Sequence, residues 1–92
     1  MITHVPRTVL RKAFQEAGLW GKIRSGQLRE WVAPPSRIRP DGSVSQIVLH
    51  FDPVLGHVAT THRVIDARGR VVHWDEKDMT LPNGDKLCRS VR

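Results

Sequence analysis

The sequence predicts an α+β fold: two N-terminal helices packed on one face of an antiparallel meander of three to five strands. Two observations predict it. Apolar residues recur at helical spacing as far as residue 33, whereas from residue 46 they alternate with polar ones. The alternating half is cut by "DPVLG" and "DARG", each ending in the glycine that a hairpin turn favours. Ninety-two residues bury enough surface for one core, so a single domain over 1–92 is expected, its helical part at 6–33 and its sheet at 36–91.

The elements follow in order. Pro6 suits the first turn of a helix, Val9, Leu10, Ala13, Phe14 and Ala17 make its apolar side, and Gly18 stops it, which predicts a helix over 6–17. In "SGQLREWVAPP" Ser25 is a candidate N-cap, Leu28, Trp31 and Val32 form one side, and Pro34-Pro35 bars continuation, so a short second helix is expected. "PPSRIRPDGSVS" has turn chemistry around Pro40-Asp41-Gly42. "QIVLHF", "HVATTHRVI" and "RVVHWD" are strands rich in β-branched and aromatic residues. The tail "LPNGDKLCRSV" offers a further strand after an Asn83-Gly84 turn.

Charge points to the partner class. Fifteen Lys and Arg against nine Asp and Glu give a net charge of +6, which suits polyanions. The excess sits early: residues 1–45 carry eight basic and three acidic side chains, residues 46–92 seven and six. Eleven of the basic residues are Arg, whose forked guanidinium favours bidentate phosphate contacts. Arg7, Arg11, Lys12, Arg24, Arg29, Arg37 and Arg39 are the candidate nucleic-acid contacts, RNA being favoured over DNA. No apolar run is long enough to span a bilayer and the first residues lack the apolar core of a signal peptide, so a cytoplasmic protein with no membrane partner is expected. Cys88 is the sole cysteine, which excludes an internal disulfide and a cysteine-based zinc cluster and leaves it as a small, half-buried hydrophobe.

The histidines are sorted by register. Pairing Asp66 with Arg70 sets His62 opposite Trp74 and Arg63 opposite His73; pairing Asp52 with His57 sets Phe51 opposite Val58, Leu49 opposite Thr60 and His50 opposite Ala59. One face then holds Ile47, Leu49, Phe51, Val58, Thr60, His62, Val64, Val72 and Trp74, and is expected under the helices, with His62 structural. The other gathers His50, His57, Thr61, Arg63, His73 and Asp75 on an open surface. RNA cleavage by 2′-OH attack needs a base, an acid and cations for the phosphate, and histidine suits both proton roles near neutral pH. His50 and His73 supply those roles, Arg63 and Thr61 hold the phosphate, and Asp75 orients His73, with neither metal nor cofactor required.

Two basic helices followed by a meander with His, Thr and Arg on its open face resemble the small bacterial toxin ribonucleases, the group that includes barnase-like, colicin-like and RelE-like nucleases. "HVATTHRVID" and "GRVVHWD" are similar to their His-bearing strands. The resemblance implies a metal-independent endoribonuclease whose site residues, carried over by type and position, are His50, Thr61, Arg63, His73 and Asp75. It also implies an acidic immunity- or antitoxin-type partner. The absence of Tyr departs from several members and leaves base stacking to Trp20 or Trp31.

Other readings stand beside it. A non-catalytic nucleic-acid-binding module accounts better for the early charge but leaves the histidines without a purpose. A metal could use His73 and Asp75 with His50 or His57. A small interaction or inhibitor protein would be indifferent to single His substitutions.

Overall fold

The computed structural model describes residues 1–90. The expected sheet end at 91 lies outside them. The chain runs β1 (Ile2–Val5), α1 (Arg7–Glu16), α2 (Leu19–Arg24), β2 (Arg29–Ile38), β3 (Val44–Asp52), β4 (Gly56–Ile65), β5 (Val71–Thr80) and β6 (Lys86–Arg89). All six strands join one sheet in the order β1-β6-β5-β4-β3-β2.

This corrects the expected fold. The sheet is not a three- to five-stranded antiparallel meander: it has six strands and is mixed, because β1 pairs parallel to β6, Ile2 with Lys86 through Val5 with Arg89. β1 is only four residues long and polar at two of them, too short for alternation to be visible. The second helix expected across "SGQLREWVAPP" is also absent. Helix α2 lies earlier, Gly26 turns the chain at φ 77°, and residues 29–38 are a strand. The reason is Pro34-Pro35, which forces preceding residues toward extended backbone and, lacking N–H groups, fits an edge strand beside a register shift between Ala33 and Arg37.

The helices form where the pattern is amphipathic. Leu10 and Phe14 in α1, and Leu19 and Ile23 in α2, repeat at four-residue spacing and are all buried. Gly18, at φ 65°, makes the left-handed corner that turns one helix into the next. These four side chains meet Leu28, Val58, Ala59 and Met79 in the core, with Trp20 and Trp74 at its margin. The Trp20 ring lies 5.6 Å from Phe14 and 5.4 Å, edge-on, from Trp74.

The covered face of the sheet is the one carrying Val48, His50, Ala59 and Thr61, not the expected Ile47–Leu49–Thr60–His62 face. His50 stands opposite Ala59, and Val48 opposite Thr61, all four being 0% exposed. Small Ala59 leaves room for the large rings of the helices, and the polar groups beside it bond one another.

Phe14 fills the centre of this core, so Phe14→Ala is expected to lower stability by about 3–5 kcal/mol, measured by urea denaturation with the slope unchanged.

Candidate functional site

Register decides which histidines reach the surface. The hairpin from β4 to β5 closes as expected, with Asp66 N–H donating to the Arg70 carbonyl and Ile65 opposite Val71. A bulge then inserts Val72, so His73 faces Val64, Trp74 faces Arg63 and Asp75 faces His62. Against the expected pairing, β5 is shifted by one residue. The helices also cover the opposite face from the one expected. The two changes cancel for β5, leaving His73 and Asp75 on the open face, but invert β4, which sends Thr61 and Arg63 under the helices and His62 outward. On β3, His50 goes inward with them.

The five expected site residues therefore do not form one constellation. His50 Nε2 lies 2.8 Å from Thr61 Oγ1, which also accepts from Trp74 Nε1 at 2.9 Å. Thr61 then has its own proton for His50 Nε2, which assigns the Nδ1–H tautomer, facing the Glu30 carboxylate at 3.6 Å. Arg63 donates to Gln46 at 3.1 Å and Glu30 at 3.2 Å, and its guanidinium lies 5.3 Å over the Trp74 ring. These side chains are occupied with one another, although His50 Nδ1 has no hydrogen-bond partner among the described residues.

On the open face, His62, His73 and Asp75 converge. Asp75 is buried and accepts from Arg89 at 2.6 Å, with Arg7 at 3.8 Å from the same oxygen. His62 Nδ1 stands 3.5 Å from Asp75 Oδ1, and His73 Nε2 3.6 Å from Oδ2. The two imidazole rings are 5.8 Å apart, edge to face. Ser45 Oγ holds His62 Nε2 at 2.6 Å and fixes that ring. Asp75 Oδ1 is buried with no hydrogen-bond partner among the described residues. Arg7, Lys77 and Arg89 border the resulting pocket of about 540 Å³.

Four of these residues, Ser45, His62, Lys77 and Arg89, were outside the expected set. His62 was assigned to the core by the face inversion. Lys77 and Arg89 lie outside the histidine-rich stretch, and nothing in the sequence marks β6 as the partner of β1. That parallel pair is what delivers the arginines: Val5 is level with Arg89, so the turn at Pro6 carries Arg7 to the same place. Of the remaining expected contacts, Arg11 pairs with Glu76 at 3.4 Å and Arg24 covers Trp20 at 5.5 Å. Lys12, Arg29, Arg37 and Arg39 are exposed. They are not gathered with Arg7 in one patch: Arg29 and Arg37 are on β2, at the other side of the sheet from β6, while Arg39, in the turn beyond β2, brings its charge toward His62.

A second group on the open face centres on His57. Lys86 Nζ lies 2.9 Å from its Nδ1 and Thr60 Oγ1 2.8 Å from its Nε2, so both ring nitrogens are engaged. Cys88, level with Asp78, is partly exposed, and burial pushes its thiol up. That thiol is a poor nucleophile at neutral pH.

Electrostatics decide what the main pocket accepts. The donor atoms of His62, His73 and Asp75 lie within 4.8 Å of one another, which is the span of a metal-ligand set. Yet Asp75 is already engaged by Arg89, whose hydrogen bond and charge, with the nearby histidines, overcome burial and hold the carboxyl below its ordinary value. A dication would meet three cations and one compensated carboxylate. At an effective dielectric near 20, a dication about 5 Å from one unit positive charge is repelled by roughly 6–7 kcal/mol. The pocket favours an anion. His62 is held below the usual imidazole value, chiefly by burial, so the ring is neutral at neutral pH, with Nε2 engaged by Ser45.

Comparison with protein-family models, with curated proteins and with solved structures finds no match. Among the described residues no helix is long and apolar enough to cross a membrane.

Burial also leads the depression of His50 and His57 below the ordinary 6.5. The unfolded chain therefore takes up protons first, and stability is expected to fall as pH drops through 6.5. Thermal melts between pH 7.5 and 5 should show the decline, with His50 contributing at most about 1.4 kcal/mol per pH unit. His50→Gln should flatten the slope.

Proposed function

We propose that this protein is a metal-independent endoribonuclease acting at the open-face pocket of His62, His73 and Asp75. The observation that carries the reading is the convergence of two imidazoles and three cationic side chains, Arg7, Lys77 and Arg89, on one pocket anchored by a buried carboxylate. His62, neutral and fixed by Ser45, takes the 2′-OH proton as the 2′ oxygen attacks phosphorus. The bond from phosphorus to the 5′ oxygen breaks, and His73 gives that oxygen its proton. Arg7 and Lys77 hold the phosphate oxygens as charge grows on them. Arg89 is held by Asp75 and keeps the carboxylate from repelling the substrate. The products are a 2′,3′-cyclic phosphate and a 5′-hydroxyl.

An active nuclease implies a partner that restrains it in the producing cell, and an acidic protein of the immunity or antitoxin kind fits this cationic pocket. A non-catalytic RNA-binding module is the second reading. It is supported by Lys12, Arg29 and Arg37, exposed cations that do not line the pocket and can track phosphates.

Purified protein incubated with total RNA and labelled tRNA in EDTA should release fragments ending in cyclic phosphate. His62→Ala and His73→Ala should each slow cleavage by about 10²–10⁴-fold. RNA left intact yet retarded on a gel equally by wild type and variants would replace the nuclease with the binding module.

A further inference from the structure

The open face is divided in composition, and the half away from the pocket has no role in the proposed reaction. Trp31 stands on β2 opposite Leu49, which stands opposite Thr60; one row along, Ala33, Ile47, His62 and Asp75 follow in the same way. All point away from the helices. Trp31 is 53% exposed, a costly state for the largest apolar side chain. The other two tryptophans commit their indole N–H groups to Glu76 and Thr61 and meet edge to face, whereas Trp31 takes no part in that pair. Beside it lies a depression of about 540 Å³ bordered by Arg29 and Phe51, with the carboxylates of Glu30 and Asp52 also on its rim. Ile47 and Leu49 are half-buried and floor the path from there to His62.

We propose that this half of the open face is a base-stacking platform, so that the ligand is single-stranded RNA with a base, preferably a purine, on Trp31 and its phosphates running to the pocket. The inference rests on the RNA reading given above. The two halves match the two halves of a nucleotide: an aromatic and aliphatic floor for the base, and Arg7, Lys77 and Arg89 for the phosphate. Trp31 is two strands and two residues from His62, about 12 Å at ordinary sheet spacings. A short stretch of nucleotides bridges that distance. Arg29, on the same face as Trp31, adds charge at the far end. Duplex RNA keeps its bases stacked on one another and offers no ring face to a flat surface, so an unpaired strand is required. A purine presents the larger ring, and stacking strength sets preference on such platforms.

The platform is tested with labelled 2′-O-methyl oligonucleotides, which cannot undergo 2′-OH attack and so report binding alone by fluorescence anisotropy. Trp31→Ala is expected to weaken a purine-rich single strand by about five- to hundredfold, while Trp31→Phe retains most of the affinity. A pyrimidine-rich strand should bind less tightly, and a hairpin duplex should be indifferent to both variants. Circular dichroism checks that each variant is folded. Equal single-strand affinity of wild type and Trp31→Ala overturns the platform, as does an effect of Trp31→Ala confined to self-association or to binding of an acidic protein. An all-ribose strand is followed in parallel. If it stays uncut while Trp31 still governs affinity, the nuclease reading fails and the platform stands; if it is cut while Trp31 is immaterial, the platform alone fails.

Discussion

A buried carboxylate at the centre of the sheet sets the terms for the rest of this structure. Desolvating Asp75 without compensation would cost several kcal/mol. The fold answers by converging groups from four places upon it: Arg89 from β6, Arg7 from the start of α1, His62 from β4 and His73 from its own strand. Two of those groups are available only because β1 runs parallel to β6, with Val5 level with Arg89. The short N-terminal strand is thus an electrostatic device as much as a sheet edge. It also fixes where α1 begins, and hence where Leu10 and Phe14 enter the core.

The covered face handles its polar groups differently. It buries His50, Thr61 and Glu76 among aromatic rings, and each finds a partner from another element. Trp74 donates to Thr61, Trp20 donates to Glu76, Arg11 approaches Glu76, and Arg63 donates to Glu30 while covering Trp74. Tryptophan suits this role because it brings a large apolar area together with one donor. In such an environment histidine and threonine are specificity elements of packing. Their residue types alone do not mark chemistry.

That distinction explains what could be read from the sequence. The first helix was legible because Leu10 and Phe14 repeat cleanly, and three central strands were legible because their alternation is long. The loop closures at Asp66–Arg70 and Asn83-Gly84 were legible from turn chemistry, whereas the tail's thin apolar content left the final strand open. The second helix failed because "LREWV" fits either period, and the deciding constraint, the pair of prolines after it, acts through steric exclusion. The face assignment failed for a subtler reason: the Ile47–Leu49–Phe51 side is the more apolar, yet the small residue Ala59 is what admits the helices. His73 and Asp75 were assigned to the open face through two offsetting errors, and His62 was lost to one of them.

The bulge at Val72 is the step on which the chemistry of the open face turns. Without it, Trp74 would face His62 and Asp75 would face Thr61, leaving the carboxylate on the side of the aromatic core and away from His62. Period-two geometry carries the exchange through residues 73–76, until a second shift at Lys77 changes the register again. One inserted residue therefore separates a face of buried aromatic pairs from a face on which imidazoles and guanidinium groups converge. The insertion falls next to a tight turn, where extra twist is easily absorbed and Val72 itself can remain exposed. The turn residues specify the hairpin, but the apolar demand of Trp74 for the helices is what selects the bulged register over the regular one. Packing on the covered side thereby determines which charged groups the open side presents.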